Sequence, residues 1–413
     1  MERQLTAKVA TRNSQSPDID DRIISLGQGL PAIPERLLLA HARGEVLFIA
    51  GAGVSQPAGL PDFRGLVLKV YAHLDVAVHD VISKIPRSAC NQWAADLSSL
   101  THSQAAEVRR FIAADYDVVL GMLERRIDGQ MGNVSGVRQI IASELRVPDL
   151  KPAEMHRALM SLADRGGSVS IVTTNFDLLL EKAAARSGPT LQSYALGGIP
   201  RPGRRRDFNG IFHIHGAVDP DEDRVSDLIV SDQDFGEFYL RRRVVSDFIY
   251  DAARLFNLVL VGYSANDPPM RYLLNAIAAD GTRFDDLRER FTFVGSDVPD
   301  PTVLEDWRGR GVTPIHYDAG NGHVALLGAL QKWADLSAHN GKKMAVEKEL
   351  VRIVRENRTD ASEADRDMFD HLFRRAGSNE RLLLAAMLSK RRASLGWLDS
   401  MASIATGDDR RRK

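Results

Sequence analysis

Short apolar runs alternate along this chain with longer segments in which apolar residues recur at helical spacing. The runs are Val46 to Ala50, Val169 to Thr173, Ile211 to His215, Asn257 to Gly262, Arg290 to Gly295 and Val312 to Tyr317. A continuous apolar run of five or six residues is the pattern of a strand buried on both faces, and such strands belong to parallel sheets. Asp227 to Ser231 reads as a further, edge-like strand. Pro34 to Arg43, Leu66 to His79, Leu178 to Arg186 and Gly322 to Leu336 read as helices, and Asp232 to Phe256 as one long helix capped by Asp232. Strand signals are few over 81–165, where 105–128, 137–145 and 155–163 carry helical periodicity. Beyond 339 the texture changes to charged helices, one of them with a stripe at Leu382, Leu383, Ala386 and Met387. The pattern predicts an α/β protein with a parallel sheet of about six strands. It divides into a polar arm (1–30), an α/β domain (31–338) with a helical insertion at about 81–165, and a helical C-terminal extension (339–413). That insertion reads either as a lid over a site or as packing. The extension buries its stripe against its own subunit or against another one.

Composition narrows the class. The 413 residues carry 54 basic and 55 acidic side chains, a net charge of −1, so nothing pulls the whole chain toward nucleic acid or an anionic membrane. Arg201, Arg204, Arg205 and Arg206 form a local basic cluster. It could touch phosphate, but a cluster this short reads first as a solvated loop, and direct nucleic-acid binding is not expected. No apolar run approaches a membrane span and the N-terminal residues lack the apolar core of a signal peptide, so the expected location is the cytoplasm. A single cysteine, Cys90, excludes an intrachain disulfide and a cysteine-rich zinc site.

Candidate chemistry gathers where the runs end. Gly51-Ala52-Gly53, with Ser55 and Gly59 behind it, follows the first strand. Glycines there allow a sharp turn and let a pyrophosphate approach main-chain N–H groups, although many α/β domains turn this way for packing alone. Pro61-Asp62-Phe63-Arg64 then adds a carboxylate, a ring and a guanidinium. The second run ends in Thr174-Asn175-Phe176-Asp177, where Asp177 could simply cap the next helix. The third carries His213 and His215 on one face, before Gly216. The fourth closes in Gly262-Tyr263-Ser264-Ala265-Asn266-Asp267.

The string GAGVSQPAGLPDFRG resembles the nucleotide loop of the sirtuins, TTNFD their TQNID segment, and the His-Gly pair their catalytic histidine. GYSAND resembles the GYSxxD of the sirtuin-like branch found in bacterial defence proteins. The four segments stand in the order that a sirtuin-like Rossmann domain requires. The resemblance implies NAD as the bound nucleotide. It places Gly51, Ala52, Gly53 and Ser55 on its phosphates, and Asp62, Phe63 and Arg64 beside the nicotinamide. Asp177 falls on the carboxamide, and Gly262, Tyr263, Ser264 and Asp267 on the adenosine half. Asn175 would orient water and a ribose hydroxyl, and His215 would accept a proton, leaving His213 a supporting residue. Three positions depart from the family pattern: Thr174 stands for its Gln, Phe176 for its Ile and Tyr263 for its Thr.

Sirtuin deacylases carry a four-cysteine zinc module after the histidine, which this chain cannot build, so no metal is expected. Without that module the resemblance implies hydrolysis of NAD, as a substrate, to nicotinamide and ADP-ribose. It extends to zinc-less relatives that deplete NAD in antiviral, anti-phage defence. The length and C-terminal helices fit those that pair with a hexameric HerA-type ATPase translocase, which implies a homo-oligomer with that partner. The other readings are a module that binds NAD or ADP-ribose without cleaving it, a protein deacylase or ADP-ribosyltransferase, and a nuclease component using the arginine loop.

Overall fold

The computed structural model describes residues 22–87, 95–128, 135–184, 191–201, 203–205, 208–219, 222–263, 274 and 287–407. Most of the polar arm, Cys90, Arg206, Ser264, Asp267 and the last six residues lie outside them. Strands β1 (Ile23–Ser25) and β2 (Ala32–Pro34) form a small antiparallel pair. The rest are β3 (Val46–Ala50), β4 (Ser170–Thr173), β5 (Ser193–Ala195), β6 (Gly210–His213), β7 (Asn257–Val261), β8 (Arg290–Gly295) and β9 (Thr313–Tyr317). They make a seven-stranded sheet in the order β5-β6-β4-β3-β7-β8-β9, with every pair parallel.

That order is the doubly wound one with an added edge strand. The chain starts at the centre with β3, steps outward through β4 to β6, then returns to the other side of β3 for β7 and steps outward again. The connections therefore diverge between β3 and β7, at whose carboxyl ends open α/β sheets bind ligands. Both strands are buried at all five positions, which is why their sequences, VLFIA and NLVLV, lack alternation.

Successive β3 side chains feed two cores on opposite faces. Phe48 packs edge-on to Trp333 with ring centroids 5.5 Å apart, in the core beneath helices Glu35–Ala42, Glu154–Ala163 and Val324–Asp335. Leu47 and Ile49 join Phe208, Phe212, Phe248 and Phe256 on the other face, under helix Val244–Leu255. A third core, around Tyr71, Val119, Leu120 and Leu123, lies within helices Phe63–Leu74, Val76–Ile82, His102–Ile112, Tyr116–Asp128 and Gly136–Leu145. The helices that share a core of their own thus begin at Phe63, earlier than the expected 81. Glu154–Ala163 belongs instead with the sheet, whose first core it fills. Arg138 fastens this helical unit down. Its guanidinium meets Glu124 at 2.9 Å and Asp234 at 2.8 Å, all three side chains being buried. The C-terminal helices Lys343–Ile353, Glu363–Arg375, Ser378–Lys390 and Leu395–Thr406 extend the first core through Phe369, Phe373 and Trp397.

Four expected elements differ, one being the helix expected over Leu66 to His79, which divides at Asp75 into Phe63–Leu74 and Val76–Ile82. Asp227 to Ser231 is no strand: the Ile229 N–H donates to the His215 carbonyl, while those of Val230 and Ser231 go to the Asp234 carboxylate. The following helix is capped by Ser231, whose hydroxyl accepts from Asp234 N–H, and not by Asp232. It is broken into Asp232–Phe235, a π-helical stretch Gly236–Arg241 and Val244–Leu255, because Arg243 adopts a left-handed φ of 56°. Likewise 105–128 divides at Ala114, with φ 59°. Among the described residues no helix is long and apolar enough to cross a membrane.

Candidate active site

The carboxyl ends of β3, β4, β6 and β7 meet in one hydrogen-bonded group. Thr173, the last residue of β4, donates its hydroxyl to the Ala50 carbonyl at 3.0 Å and accepts the Asn175 N–H at 3.0 Å. This turns the chain sharply after the strand and fixes the Asn175 backbone. The Asn175 Nδ2 then donates to the Gly51 carbonyl and to the Ser55 hydroxyl, each at 3.0 Å. A carbonyl can only accept, so the orientation of the amide is settled by its neighbours. Its two N–H bonds are spent inward, and no described residue bonds its Oδ1. That oxygen is a fixed acceptor at the switch point.

Ser55 is the hub. Its hydroxyl donates to Asp177 Oδ2 at 2.8 Å and stands 3.2 Å from His156 Nε2. The Ala153 N–H donates to His156 Nδ1 at 3.2 Å, so Nε2 carries the proton and donates to Ser55. Burial holds this imidazole's pKa below its usual value, in keeping with the neutral form. Ser55 thus receives hydrogen bonds from Asn175 and His156 and passes its own to Asp177. It is a wired connector whose own proton is directed at the Asp177 carboxylate. Asp177 also caps the next helix, accepting the Leu179 N–H on Oδ1 at 3.0 Å.

His213, the last residue of β6, is fully buried. Its Nδ1 faces the Asn175 carbonyl at 3.0 Å and its Nε2 the Glu181 carboxylate at 2.7 Å. Both partners only accept, so both ring nitrogens carry hydrogen and the ring is an imidazolium. Although burial opposes it, the Glu181 charge raises the pKa of His213, and His213 in turn lowers that of Glu181. Glu181 also accepts the Ser193 hydroxyl at 2.6 Å, which ties in edge strand β5.

His215 lies two residues past the register pair Thr173–His213, just beyond the carboxyl end of β6. Its Nε2 is 2.5 Å from the Tyr239 hydroxyl, and the rings of Phe235 and Tyr239 close over it. Burial pushes its pKa down to about 3, so the ring is neutral throughout the physiological range. Gly216 takes φ 91°, and a Cβ there would lie 2.9 Å from the Asp227 carbonyl, which explains the glycine after the histidine.

The glycines of the first loop turn out to serve packing against the second. Gly51 N–H donates to the Val261 carbonyl at 2.8 Å and Gly53 N–H to the Gly262 carbonyl at 3.0 Å, so neither amide is free for phosphate. Ala52, at the exposed tip between them, keeps its N–H at the start of a single 3₁₀ turn. A Cβ on Gly262 would sit 2.7 Å from the Val54 nitrogen, on a backbone at φ 76°. Gly262→Ala is expected to destabilise the protein by about 2–4 kcal/mol through overlap plus strain. Gly59, at φ 99° with open space around it, isolates the strain alone. Gly59→Ala should cost about 1 kcal/mol. Denaturant midpoints of the two variants check this; equal shifts would mean that the loops do not interlock.

Two of the three departures from the sirtuin pattern, Thr174 and Tyr263, touch each other. The Thr174 hydroxyl stands 2.9 Å from the Tyr263 hydroxyl, which also reaches the Ala50 carbonyl at 3.3 Å. Together they bridge the ends of β4 and β7 across β3. Asp62, Phe63 and Arg64 do not enter this group. Asp62 caps helix Phe63–Leu74 and pairs with Arg87 at 2.5 Å; Phe63 meets Tyr116 edge-on; the Arg64 guanidinium lies over Phe111 and donates to the Ile85 carbonyl. Their side chains join the loop to the helical unit. His156 and Tyr239 were invisible as site residues in the sequence, each sitting in a helix with no motif around it. Arg201 and Arg205 pair with Asp251 and Glu45, so neither is an uncompensated cation. Among the described residues no group of three or more His, Cys, Asp or Glu side chains could hold a metal ion.

Comparison with known proteins agrees with the strand-end motifs. The SIR2-like domain family matches residues 169–315, which include Asn175, Asp177, His213, His215 and Gly262. The uncharacterized protein y4cA of Sinorhizobium fredii strain NBRC 101917 / NGR234 is 35% identical over 315 residues, covering 74% of this chain; the chain spans 24% of the length of that relative. A structure from a study of the mechanism and regulation of Sir2 enzymes is 14% identical with a TM-score of 0.34, covering 72% of this chain and 96% of its own. A Sir2 homologue solved with NAD is 15% identical with a TM-score of 0.33, covering 75% and 98%.

Proposed function

We propose that this protein hydrolyses NAD to nicotinamide and ADP-ribose at the group formed by Ser55, Asn175, Asp177 and His215. The observation that carries the reading is the Asn175 amide, whose nitrogen donates to both the Gly51 carbonyl and the Ser55 hydroxyl while no described residue bonds its Oδ1. An acceptor fixed in this way orients a water or a ribose hydroxyl without paying for its own ordering in the reaction. His215, held neutral by burial just beyond the end of the neighbouring strand, is the imidazole that this reading assigns to proton transfer. As the nicotinamide–ribose bond breaks, positive charge grows on the sugar carbon, as in glycoside hydrolysis. The Asp177 carboxylate adds negative charge to this end of the sheet. The Ala52 residue at the exposed tip offers a main-chain N–H to a phosphate, while those of Gly51 and Gly53 are already bonded.

Anti-phage NAD depletion, assembly into a homo-oligomer and pairing with a HerA-type translocase follow from the same resemblance and are proposed with it. Cytoplasmic placement belongs to this reading too. The alternative of a module that binds NAD without cleaving it separates cleanly. NAD incubated with the purified protein, alone and with a HerA-type partner, is expected to yield nicotinamide and ADP-ribose by mass spectrometry. Intact NAD at saturating enzyme in both mixtures would favour the binding module, and an acetyl-ADP-ribose product from an acyl-lysine peptide would favour a deacylase.

A further inference from the structure

A buried guanidinium without enough partners lies far from the site just described. Arg375 ends helix Glu363–Arg375, and its side chain is only 3% exposed. Its Nη2 donates to Glu380 at 3.2 Å, but its Nε and Nη1 are buried and find no hydrogen-bond partner among the described residues. Buried N–H groups of a charged side chain are almost always satisfied, and leaving them bare is costly. Arg375 borders a cavity between the C-terminal helices and the α/β body, lined also by Leu38, His41, Trp333, Ser337 and His371. The space holds little more than one water-sized particle, which rules out a nucleotide or a side chain from another protein.

The surroundings favour negative charge in that space. His41 gives its Nε2–H to the Leu162 carbonyl at 2.8 Å, and His371 meets Glu35 at 3.3 Å. Glu35 is already held by Arg374 at 2.6 Å. Glu380 alone opposes Arg375 at hydrogen-bond distance, and it is 35% exposed, where water weakens its pull. Ser337 is buried, and its hydroxyl accepts the His339 N–H at 3.3 Å, so its own proton can be given. Burial pushes the Arg375 pKa downward, as expected for a cation short of compensation.

We propose that this cavity binds one small monovalent anion of about the size of chloride, held by Arg375 Nε and Nη1 with the Ser337 hydroxyl. Three separate segments meet there: helix Glu35–Ala42, the end of helix Val324–Asp335 and helix Glu363–Arg375. The anion therefore locks the C-terminal helices onto the α/β body. A water would satisfy the N–H groups but would add no negative charge to that of Glu380, and the two occupants separate by experiment. An anion that binds only the folded chain raises its unfolding temperature along a saturating curve, by about 3 °C at a hundred times its dissociation constant.

The test compares thermal unfolding of the full chain in sodium chloride and in sodium gluconate at equal ionic strength, for the wild type and for Arg375→Met, which keeps the apolar stem. The wild type is expected to gain stability in chloride over gluconate and Arg375→Met to gain none. Crystals grown in bromide should show an anomalous peak beside Arg375 Nε and Nη1. An equal chloride response in both proteins overturns the proposal, and so does a bromide crystal without a peak at that position. The crystal decides the matter if Arg375→Met does not fold.

Discussion

Asn175→Ala should abolish nicotinamide release from NAD, with a loss of at least about 100-fold, the lower end of what a positioned acid–base group contributes. The amide does two jobs at once. Its nitrogen closes the Gly51 loop over the end of β4, and its oxygen is the acceptor that remains. Alanine removes both. The fold should lose only about 1–2 kcal/mol, one buried carbonyl being left without its donor. A thermal midpoint measured beside the rate therefore separates chemistry from unfolding. Asn175→Asp is the sharper variant. A carboxylate cannot donate to the Gly51 carbonyl, and it would bring a second negative charge to Ser55, which already serves Asp177. It should be inactive and less stable than the alanine variant. His215→Ala is expected to fall with Asn175→Ala. Release of nicotinamide at the wild-type rate in both would remove the site from the reaction.

The other large effect concerns stability. His213→Ala should cost about 3–5 kcal/mol, the usual penalty for breaking one side of a buried ion pair. Glu181 would lose its charged partner, and the Asn175 carbonyl would lose its donor. The pH dependence has a definite sign. The His213 pKa is raised above its ordinary 6.5, so its contribution is complete below 6.5 and disappears as pH climbs through the folded value. The Glu181 pKa is lowered from its ordinary 4.5, so its contribution is complete above 4.5 and disappears as pH drops through the folded value. The pair stabilises most between about 4.5 and 6.5. Urea midpoints of wild type and His213→Ala across pH 4–9 should differ most inside that window and converge above it. A difference that grows toward high pH would mean that the ring is neutral. Nitrogen chemical shifts of His213 give the protonation state directly, without reference to NAD.

Much of the scaffold was open to inspection in the chain. The six longer strands of the large sheet could be placed from runs rich in apolar residues, because a strand covered on both faces, such as Val46–Ala50, is apolar at most positions. The Ser193–Ala195 strand could not, since three residues at an exposed edge, one of them serine, carry no periodicity. Helix breaks at Ala114 and Arg243 were equally hidden: each rests on a left-handed backbone at a non-glycine residue, which local propensity argues against and tertiary packing imposes.

For the site the division is similar. The sequence by itself determined which side chains stand at the ends of which strands, since a motif after an apolar run must emerge at the carboxyl edge of the sheet. Only the tertiary structure decided what those side chains do to one another. The Gly51 and Gly53 amides are spent on Val261 and Gly262, Thr174 meets Tyr263, and His156 reaches Ser55 from 101 residues away. Hydrogen bonds between residues so distant in the chain are set by which strands become neighbours, and no local pattern records that.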